Sequence, residues 1–413
     1  MPAVTCPFCG IFCGDLAFEN GRVDTSSCAK AETGFARPVT VTEHSVGGRK
    51  VPLAEAVDAA AAILRAARQP LFTGLGTDLL GLQALLGLAD STGGVLDRWQ
   101  SSPQLANLGV QQRVGCWIGT FAEVSNRADQ ILIVGRDPAP FFPRLFERLV
   151  HNPTPLYRKN APQVTYLGPS ELRPADRAHG GTDLAADITV PANQLYEALL
   201  VLAAEAEGRK LPESVGTSLP LAQLMGLAQR FKDGAYGSII WDVGAFPPVQ
   251  AELMVETILR IVRGINLTTR CSSLPLGATD NAMGVMQAAL WQAGWPMRIG
   301  FGEGFPRHDA YLYNAERMLS GGDADALVWV AALSAAPPPA TSVPTIAVVA
   351  PDTILATPAA VEFRVGIPGV DHAGTVVRAD GVIAVPLGKT RDSGLPSTAT
   401  IVNLINERLG GEP

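Results

Sequence analysis

Histidine is scarce in this sequence, and the short motifs of common hydrolases are missing. Its five histidines include no H-x3-H pair, the spacing typical of a hydrolytic zinc site. No G-x-S-x-G elbow of a serine hydrolase is present. Gly388-Lys389-Thr390 does not complete a phosphate-binding P-loop, because Ile383 stands where that loop needs a glycine. His308, beside Arg307 in a glycine-rich stretch, has the most functional context, although a structural or solvated role is the preferred interpretation.

Charge and long apolar runs are also limited. Charged residues make up 17% of the chain, the net charge is −7 and there is no basic block, which argues against nucleic acid or an anionic membrane as a partner. The longest apolar runs, such as residues 327–333, are far too short to span a bilayer. The amino terminus lacks the charged and apolar regions of a secretion signal. We therefore expect a cytoplasmic protein.

The remaining composition is that of a folded protein with large interfaces. A chain of 413 residues, 47% of them hydrophobic, can form two or three domains with a substantial core. The 42 glycines and 32 prolines predict many turns and long loops. Low charge, together with a mean hydropathy of +0.18, suggests that part of the surface is buried against other subunits.

Four of the six cysteines lie near the amino terminus, with the spacing C-x2-C-x3-C-x14-C. Cys6, Cys9, Cys13 and Cys28 can turn onto one soft metal, and sulfur-only coordination suits zinc or an iron–sulfur cluster. Disulfides are the alternative, but nothing marks the chain as secreted. Zinc sites usually contain two C-x2-C pairs, whereas x2 followed by x3 is more typical of a [4Fe–4S] cluster. Cys116 and Cys271 are interpreted as free, buried cysteines.

Most of the chain alternates between predicted strands and helices, which indicates doubly wound α/β domains. Residues 70–78, PLFTGLGTD, predict a strand, a glycine turn and the start of a helix. Such a turn can hold a phosphate on helix amides. With only Gly74 and Gly76 present, we favour a tight connection without a ligand.

Several stretches resemble one known family. Residues 5–10 (TCPFCG) with residues 14–16 (GDL) are similar to the start of the B subunit of formylmethanofuran dehydrogenase, a molybdenum or tungsten bis-pterin oxidoreductase. Lys30 matches the lysine that follows the fourth cysteine in these enzymes and lies between cluster and pterin. Further similar stretches are TFAEVSNRAD at 120–129, GRDP at 135–138, LWQAGWP at 290–296 and GFPRH at 304–308. The resemblance therefore covers most of the chain.

The resemblance implies a pterin-oxidoreductase-like α/β fold, with a small β-rich cysteine domain and two doubly wound α/β domains. We assign residues 1–50 with 375–413 to the cysteine domain. Residues 51–120 with 321–374 and residues 121–320 form the two α/β domains. A hairpin with an Asp380-Gly381 turn is expected to return to the cysteine domain. Gly74 and Gly76 then correspond to a turn that helps to hold the pterin nucleotide, and Lys30, Gly74, Gly76 and Pro103 outline a vestigial pterin region.

One position departs from the family in a way that bears on its chemistry. The family's tungsten ligand is a cysteine or selenocysteine that follows a Leu-Asp pair and precedes a Val-Gly pair. Counting from Leu96-Asp97 to Val114-Gly115 without a gap places this ligand at Pro103, which has no donor atom. A shift of one residue would place Ser102 there, and serine is a ligand in some relatives.

Two functional hypotheses follow from the resemblance. In the first, the chain is an active tungsten or molybdenum formylmethanofuran dehydrogenase. In the second, it is a non-redox structural subunit of a bacterial formyltransferase/hydrolase complex. That complex transfers the formyl group from tetrahydromethanopterin to a methanofuran-type carrier and hydrolyses it to formate. Hydrolysis requires no electrons, so tungsten, molybdenum and pterin become dispensable, and Pro103 favours the second hypothesis.

The second hypothesis implies the chain's partners and cofactors. The expected partners are an amidohydrolase-like subunit, a formyltransferase and a subunit similar to part of glutamate synthase, and the chain itself has no catalytic residues. Zinc at Cys6, Cys9, Cys13 and Cys28 is then favoured over [4Fe–4S], because a structural zinc would keep the loop folded without electron transfer.

Overall fold

A computed structural model describes residues 3–172, 186–211, 218–277 and 279–410. The chain divides into two compact units. The first unit is Met1–Ser101 with Ala278–Pro413, and the second is Ser102–Gly277. The finer division into three domains stays a prediction.

The described residues form nineteen strands and twelve α-helices, numbered in chain order. The first part of the first unit contains β1 (Ala3–Val4), β2 (Leu16–Glu19), β3 (Arg22–Val23), α1 (Ala29–Phe35), β4 (His44–Val46), β5 (Arg49–Val51), α2 (Leu53–Ala66), β6 (Pro70–Gly76), α3 (Leu79–Ser91) and β7 (Val95–Leu96). The second unit contains α4 (Ser102–Val114), α5 (Phe121–Arg127), β8 (Gln130–Val134), α6 (Leu145–Leu149), β9 (Gln163–Gly168), β10 (Ala186–Thr189), α7 (Leu195–Ala206), α8 (Leu221–Asp233), β11 (Gly237–Trp241), α9 (Ala251–Ile265) and β12 (Cys271–Pro275). The chain then returns to the first unit with α10 (Ala282–Ala293), β13 (Ile299–Gly300), β14 (Arg307–His308), α11 (Ala315–Gly321), β15 (Ala326–Ala331), β16 (Thr345–Val349), β17 (Val361–Arg364), β18 (Gly374–Val377), β19 (Ala384–Leu387) and α12 (Thr398–Leu409).

The first unit is built on a nine-stranded sheet with the order β14-β13-β7-β6-β15-β16-β17-β4-β5. Its five central strands, from β7 to β17, are parallel, and antiparallel strands flank them on both sides. Because successive strand residues point to opposite faces, Phe72 and Val328 pack in one apolar core, and Leu71 and Leu327 pack in another. The sheet is therefore covered on both faces, as in a doubly wound domain.

The second unit is built on a five-stranded sheet with the order β10-β9-β8-β11-β12, and every neighbouring pair is parallel. The chain starts in the middle of this sheet, proceeds to one edge and then crosses to the other. Helices α7, α8 and α9 pack their apolar faces on the sheet around residues such as Leu132 and Trp241. This is the doubly wound arrangement that the alternating pattern predicts.

Most predicted elements agree with the structure, and two differ near the amino terminus. The sequence of residues 39–42, VTVT, predicts a short strand, but these residues do not form one, because their contacts are isolated bonds from Thr40 Oγ1 and Val41 N to the Pro351 carbonyl. The sequence of residues 22–25, RVDT, predicts another short strand, and only its first two residues form one, as β3. The predicted hairpin is present as β18 and β19, and Gly381, with φ +73°, occupies its turn. Among the described residues, no helix is both long and apolar enough to cross a membrane.

Candidate functional site

The segment from residue 5 to residue 28, which we call the Cys loop, is folded by its own backbone bonds. Cys6 N donates to the Cys13 carbonyl at 2.9 Å, and Phe12 N donates to the Cys9 carbonyl at 3.2 Å. Cys28 precedes α1, and its carbonyl accepts from Glu32 N. Cys6, Cys9 and Cys13 are buried, and Cys28 is half-buried. Cys28 packs against the apolar cluster that contains Cys6, so the four predicted ligands lie in one region.

Burial keeps the thiols of Cys6 and Cys9 protonated at neutral pH. Burial, opposed by a bond from the Phe8 amide and supplemented by the neighbouring Cys9, Cys13 and Cys28, raises the pKa of Cys6 to about 12. Burial likewise raises the pKa of Cys9 to about 11, while the Ile11 amide and the charge of Lys30 lower it. The amides two residues after each of these two cysteines therefore point toward sulfur, which stabilises a thiolate.

The four sulfurs lie near one another, but they are not arranged around a common position that a metal ion could occupy. Among the residues that the structure describes, no three or more histidine, cysteine, aspartate or glutamate side chains are grouped as a metal ion would require. The donor chemistry of the Cys loop suits a soft metal, and metal binding would have to draw the thiols together and displace their protons.

The Cys loop packs against the carboxyl-terminal hairpin and the sheet of the first unit. Ala379 N donates to the Gly10 carbonyl at 2.8 Å, and Phe12 packs with Val376 and Leu387. After α1, Arg37 forms a bidentate pair with Asp352 and donates to the Leu333 carbonyl at 2.8 Å. The predicted return of the hairpin to the cysteine region is therefore confirmed.

In the first unit, the chain reverses its direction across the sheet between β6 and β15. Parallel α/β sheets bind ligands in the crevice at the carboxyl ends of such a strand pair. We call this place the first crevice, and its turn runs from Gly74, in the last part of β6, to Asp78, the N-cap of α3. A side chain at Gly74 (φ +78°) would come within 2.6 Å of the Val330 carbonyl, so β15 alone requires the glycine. This supports the interpretation of the turn as a tight connection.

One helix amide at the first crevice is already capped by the chain. Asp78 is the N-cap of α3, and its Oδ1 accepts from Gly81 N at 3.3 Å and from Thr77 Oγ1 at 3.2 Å. The side chain is only 2% exposed. Burial raises the pKa of Asp78, whereas the charge of His372 and these hydrogen bonds lower it. A phosphate at this helix end would therefore compete with Asp78 for the Gly81 amide.

Asn281 covers the same turn. It lies just before α10 with φ +58°, follows Asp280 at φ +57°, and is 2% exposed. Its Nδ2 donates to the Thr77 carbonyl at 2.9 Å, and its Oδ1 accepts from Val377 N at 2.9 Å. One amide thus joins the turn of the first crevice to strand β18. The Thr77 carbonyl and the Gly81 amide at this turn are therefore already bonded within the chain.

The second unit has an equivalent place, the second crevice, at the carboxyl ends of β8 and β11. Arg136 Nε donates to Asp242 Oδ2 at 2.9 Å, and Arg136 Nη2 contacts the same oxygen. The guanidinium also lies 4.3 Å from the centre of the Phe141 ring. The Gly135 carbonyl accepts from Tyr166 Oη at 2.6 Å. An ion pair from the chain itself therefore occupies this crevice too.

Pro103 lies in the first turn of α4, which begins at Ser102. Proline is favoured there because the first turn of a helix has no intrahelical partner for its amides. Pro103, the position that corresponds to the family's tungsten ligand, therefore lies at the start of a helix in this chain. Ser102 is exposed.

The Leu-Asp pair before this helix anchors a buried polar node. Asp97 is fully buried, and its Oδ2 accepts from Ala315 N at 3.0 Å and from Ser101 Oγ at 3.1 Å. Arg298 Nε lies 3.6 Å from the same oxygen and donates to Ser101 Oγ at 3.1 Å. Burial raises the pKa of Asp97 to about 7, and the Ala315 amide and Arg298 only partly oppose it.

The remaining candidates have structural surroundings. His308 Nδ1 lies 2.8 Å from the Met297 carbonyl, and its ring stacks on Trp295 at 5.4 Å. Cys271 is buried as predicted, whereas Cys116 is only half-buried.

Sequence reasoning missed the roles of Asp78, Asn281 and the Arg136–Asp242 pair. The one local signal was Asp280-Asn281, since these residue types tolerate the left-handed conformation.

Comparison with known proteins reveals relatives over nearly the whole chain, although no family model matches. The B subunit of the formyltransferase/hydrolase complex Fhc from Methylorubrum extorquens is 32% identical over 334 residues, covering 80% of this chain and 87% of that subunit. The B subunit of the tungsten-containing formylmethanofuran dehydrogenase 2 of Methanococcus maripaludis is 25% identical over 98% of each chain. The corresponding subunit of Methanocaldococcus jannaschii is 24% identical over 92% of this chain and 91% of that subunit.

Solved structures give the same result. The crystal structure of the complex FhcABCD from Methylorubrum extorquens with methylofuran contains a chain that matches with a TM-score of 0.75 and 29% identity, over 89% of this chain and 98% of that chain. Acetylene hydratase from Pelobacter acetylenicus matches with a TM-score of 0.60 and 12% identity, over 99% of this chain and 69% of that chain, which shows the fold alone. The predicted pterin-oxidoreductase-like α/β fold is confirmed.

Replacing the buried carboxyl at residue 97 should change how stability depends on pH. The pKa of Asp97 is raised to about 7 in the folded chain and is about 3.9 when unfolded. The folded state therefore binds the extra proton between these values, and its stability falls as pH rises through this window. In Asp97→Asn this loss should be absent, so wild type should lose up to about 3 kcal/mol relative to the variant between pH 5 and 8.

The measurement is the free energy of unfolding in urea at several pH values. The control is Asp58→Asn, which removes an exposed carboxylate of the same unit. Its unfolding free energy should depend on pH in the same way as that of wild type. A stability difference between Asp97→Asn and wild type that does not vary with pH would contradict the raised pKa.

Proposed function

Because the chain belongs to the family that contains the B subunits of the formyltransferase/hydrolase complex Fhc and of formylmethanofuran dehydrogenase, we propose that it is the non-redox structural subunit of such a complex. The complex converts formyl-tetrahydromethanopterin to formate through a formylated methanofuran-type carrier. The observation that supports this most is that the chain's own side chains bond to its own groups at both crevices. Two pterin-type cofactors would need that space.

The redox alternative requires a metal ligand and a nucleotide site. Pro103 contributes no donor atom and begins a helix. Asp78 and Asn281 occupy the first crevice, and the Arg136–Asp242 pair occupies the second. Each of these features would have to change before tungsten or molybdenum pterin chemistry could take place here. Formyl transfer and hydrolysis need no electron acceptor, so the loss of all these features is consistent with the proposed reaction.

The proposed partners follow from the relatives. The similar solved structure is of a complex named FhcABCD that contains methylofuran. We propose an equivalent assembly, with an amidohydrolase-like subunit, a formyltransferase subunit and a glutamate-synthase-like subunit. The carrier then contacts mainly these partners, and the chain acts as their platform.

We also propose that the Cys loop holds one structural metal, with zinc favoured over [4Fe–4S]. The support is the set of four thiols in one loop and the Phe8 and Ile11 amides directed at Cys6 and Cys9. A bound metal would deprotonate these thiols and link Cys28 directly to the segment from Cys6 to Cys13, which it now meets through apolar packing.

Removing one thiol should then weaken the Cys loop. In Cys9→Ser, we expect the metal content of the purified chain to fall to background and its unfolding free energy to drop by about 2 kcal/mol or more, because metal binding contributes directly to folding. Elemental analysis and urea unfolding measure the two effects. The control is Cys116→Ser, which alters a half-buried cysteine outside the Cys loop and should keep the wild-type metal content. Equal metal content in wild type and Cys9→Ser would contradict the site.

The function itself is tested by separating the chain from its partners. Formate release from formyl-tetrahydromethanopterin should be undetectable with the isolated chain and restored when the chain is assembled with its partner subunits. Formate production by the isolated chain would contradict the structural role. Reduction of a viologen dye with formylmethanofuran as donor would instead support the redox enzyme.

A further inference from the structure

An exposed cleft in the second unit has a composition that neither crevice shares. It has a volume of about 290 Å³ and is lined by Trp117, Arg263, Asn266, Leu267 and Arg270. Trp117 is 42% exposed and Leu267 is 76% exposed. Tryptophan and arginine are the residue types most enriched at the energetic centres of protein interfaces. The cleft therefore combines exposed apolar surface with two positive charges.

The backbone around the cleft is held in place from several sides. The Trp117 carbonyl accepts from Ser273 N at 2.7 Å and from Ser273 Oγ at 3.1 Å, and Gly119 N donates to the Ser273 carbonyl at 2.9 Å. This segment thus runs beside β12 at the edge of the five-stranded sheet. The Asn266 side chain donates to the Cys271 carbonyl at 2.7 Å and accepts from Cys271 N at 3.1 Å. Because this surface is already ordered, binding a partner would cost little conformational entropy on this side of the interface.

The charges in the cleft are incompletely neutralised. Among the described residues, no carboxylate lies within 4.0 Å of the Arg270 guanidinium, which contacts only the Thr269 carbonyl at 3.4 Å. Arg263 lies 3.6 Å from Glu207, whose carboxylate oxygens are closer to Arg209, at 3.0 Å, and to Arg260, at 2.9 Å. None of the described residues that line the cleft is acidic. In a chain of net charge −7, this is a local excess of positive charge.

We propose that this cleft is a docking site for another polypeptide of the complex, which inserts an acidic side chain between Arg263 and Arg270 and packs apolar residues on Trp117 and Leu267. The carboxylate would complete ion pairs that the chain leaves open, and burial of Trp117 would supply the apolar contact. The choice of a complex subunit as the occupant rests on the proposed function. Charge complementarity is what specifies an acidic partner.

The test compares assembly of four forms of the chain with the purified partner subunits of the complex. These forms are wild type, the double charge reversal Arg263→Glu/Arg270→Glu, Trp117→Ala, and the control Arg49→Glu, an exposed arginine of the first unit. We expect the dissociation constant to rise by about tenfold or more for the charge reversal and for Trp117→Ala, as for hot-spot residues. The control should assemble like wild type. Raising the salt concentration should weaken the binding of the wild-type chain to its partners more than the binding of the charge-reversed form.

Because all four substitutions are at exposed positions, unchanged circular dichroism and thermal midpoints should accompany these effects. Wild-type affinity for both the charge reversal and Trp117→Ala would overturn the docking site while leaving the proposed complex intact. If the wild-type chain itself does not assemble with these subunits, the proposed function fails, and the docking site fails with it.

Discussion

At the carboxyl-end crevices of both sheets, polar side chains of the chain itself bond to groups that a ligand could otherwise contact. Such crevices expose helix amides and strand ends that need partners, and in many α/β proteins a ligand supplies them. In this chain Asp78 caps the Gly81 amide of α3, and the Arg136–Asp242 pair lies at the end of the five-stranded sheet. These groups are satisfied within the chain, which is consistent with the proposed structural role.

Filling the first crevice also connects it to the Cys loop. Asn281 donates to the turn after β6 and accepts from Val377 in the hairpin. The same hairpin donates from Ala379 to Gly10 of the Cys loop and packs on Phe12. A single buried amide therefore belongs to a continuous chain of contacts from the sheet to the cysteines. A structural metal in the Cys loop would stabilise the far end of this chain of contacts.

The sequence predicts the sheets well because buried parallel strands appear as continuous apolar runs between glycine turns. For this reason β6, β8 and β15 are recognisable from pattern alone. Cysteine spacing likewise identifies the Cys loop, although spacing cannot determine whether four sulfurs close around one point. The crevice-filling groups are not predictable in the same way. Asn281 and Thr77 are 204 residues apart, and a contact over that separation leaves no local pattern.

The most direct test of the scaffold role is the metal and pterin content of the purified complex. Elemental analysis for tungsten, molybdenum, iron and zinc, with an absorbance spectrum for pterin, measures it in one preparation. We expect no tungsten, molybdenum or pterin, and one zinc or one iron–sulfur cluster at the Cys loop of each copy of this chain. Stoichiometric tungsten or molybdenum accompanied by pterin absorbance, traced to this chain, would contradict the non-redox structural role and support the redox enzyme instead.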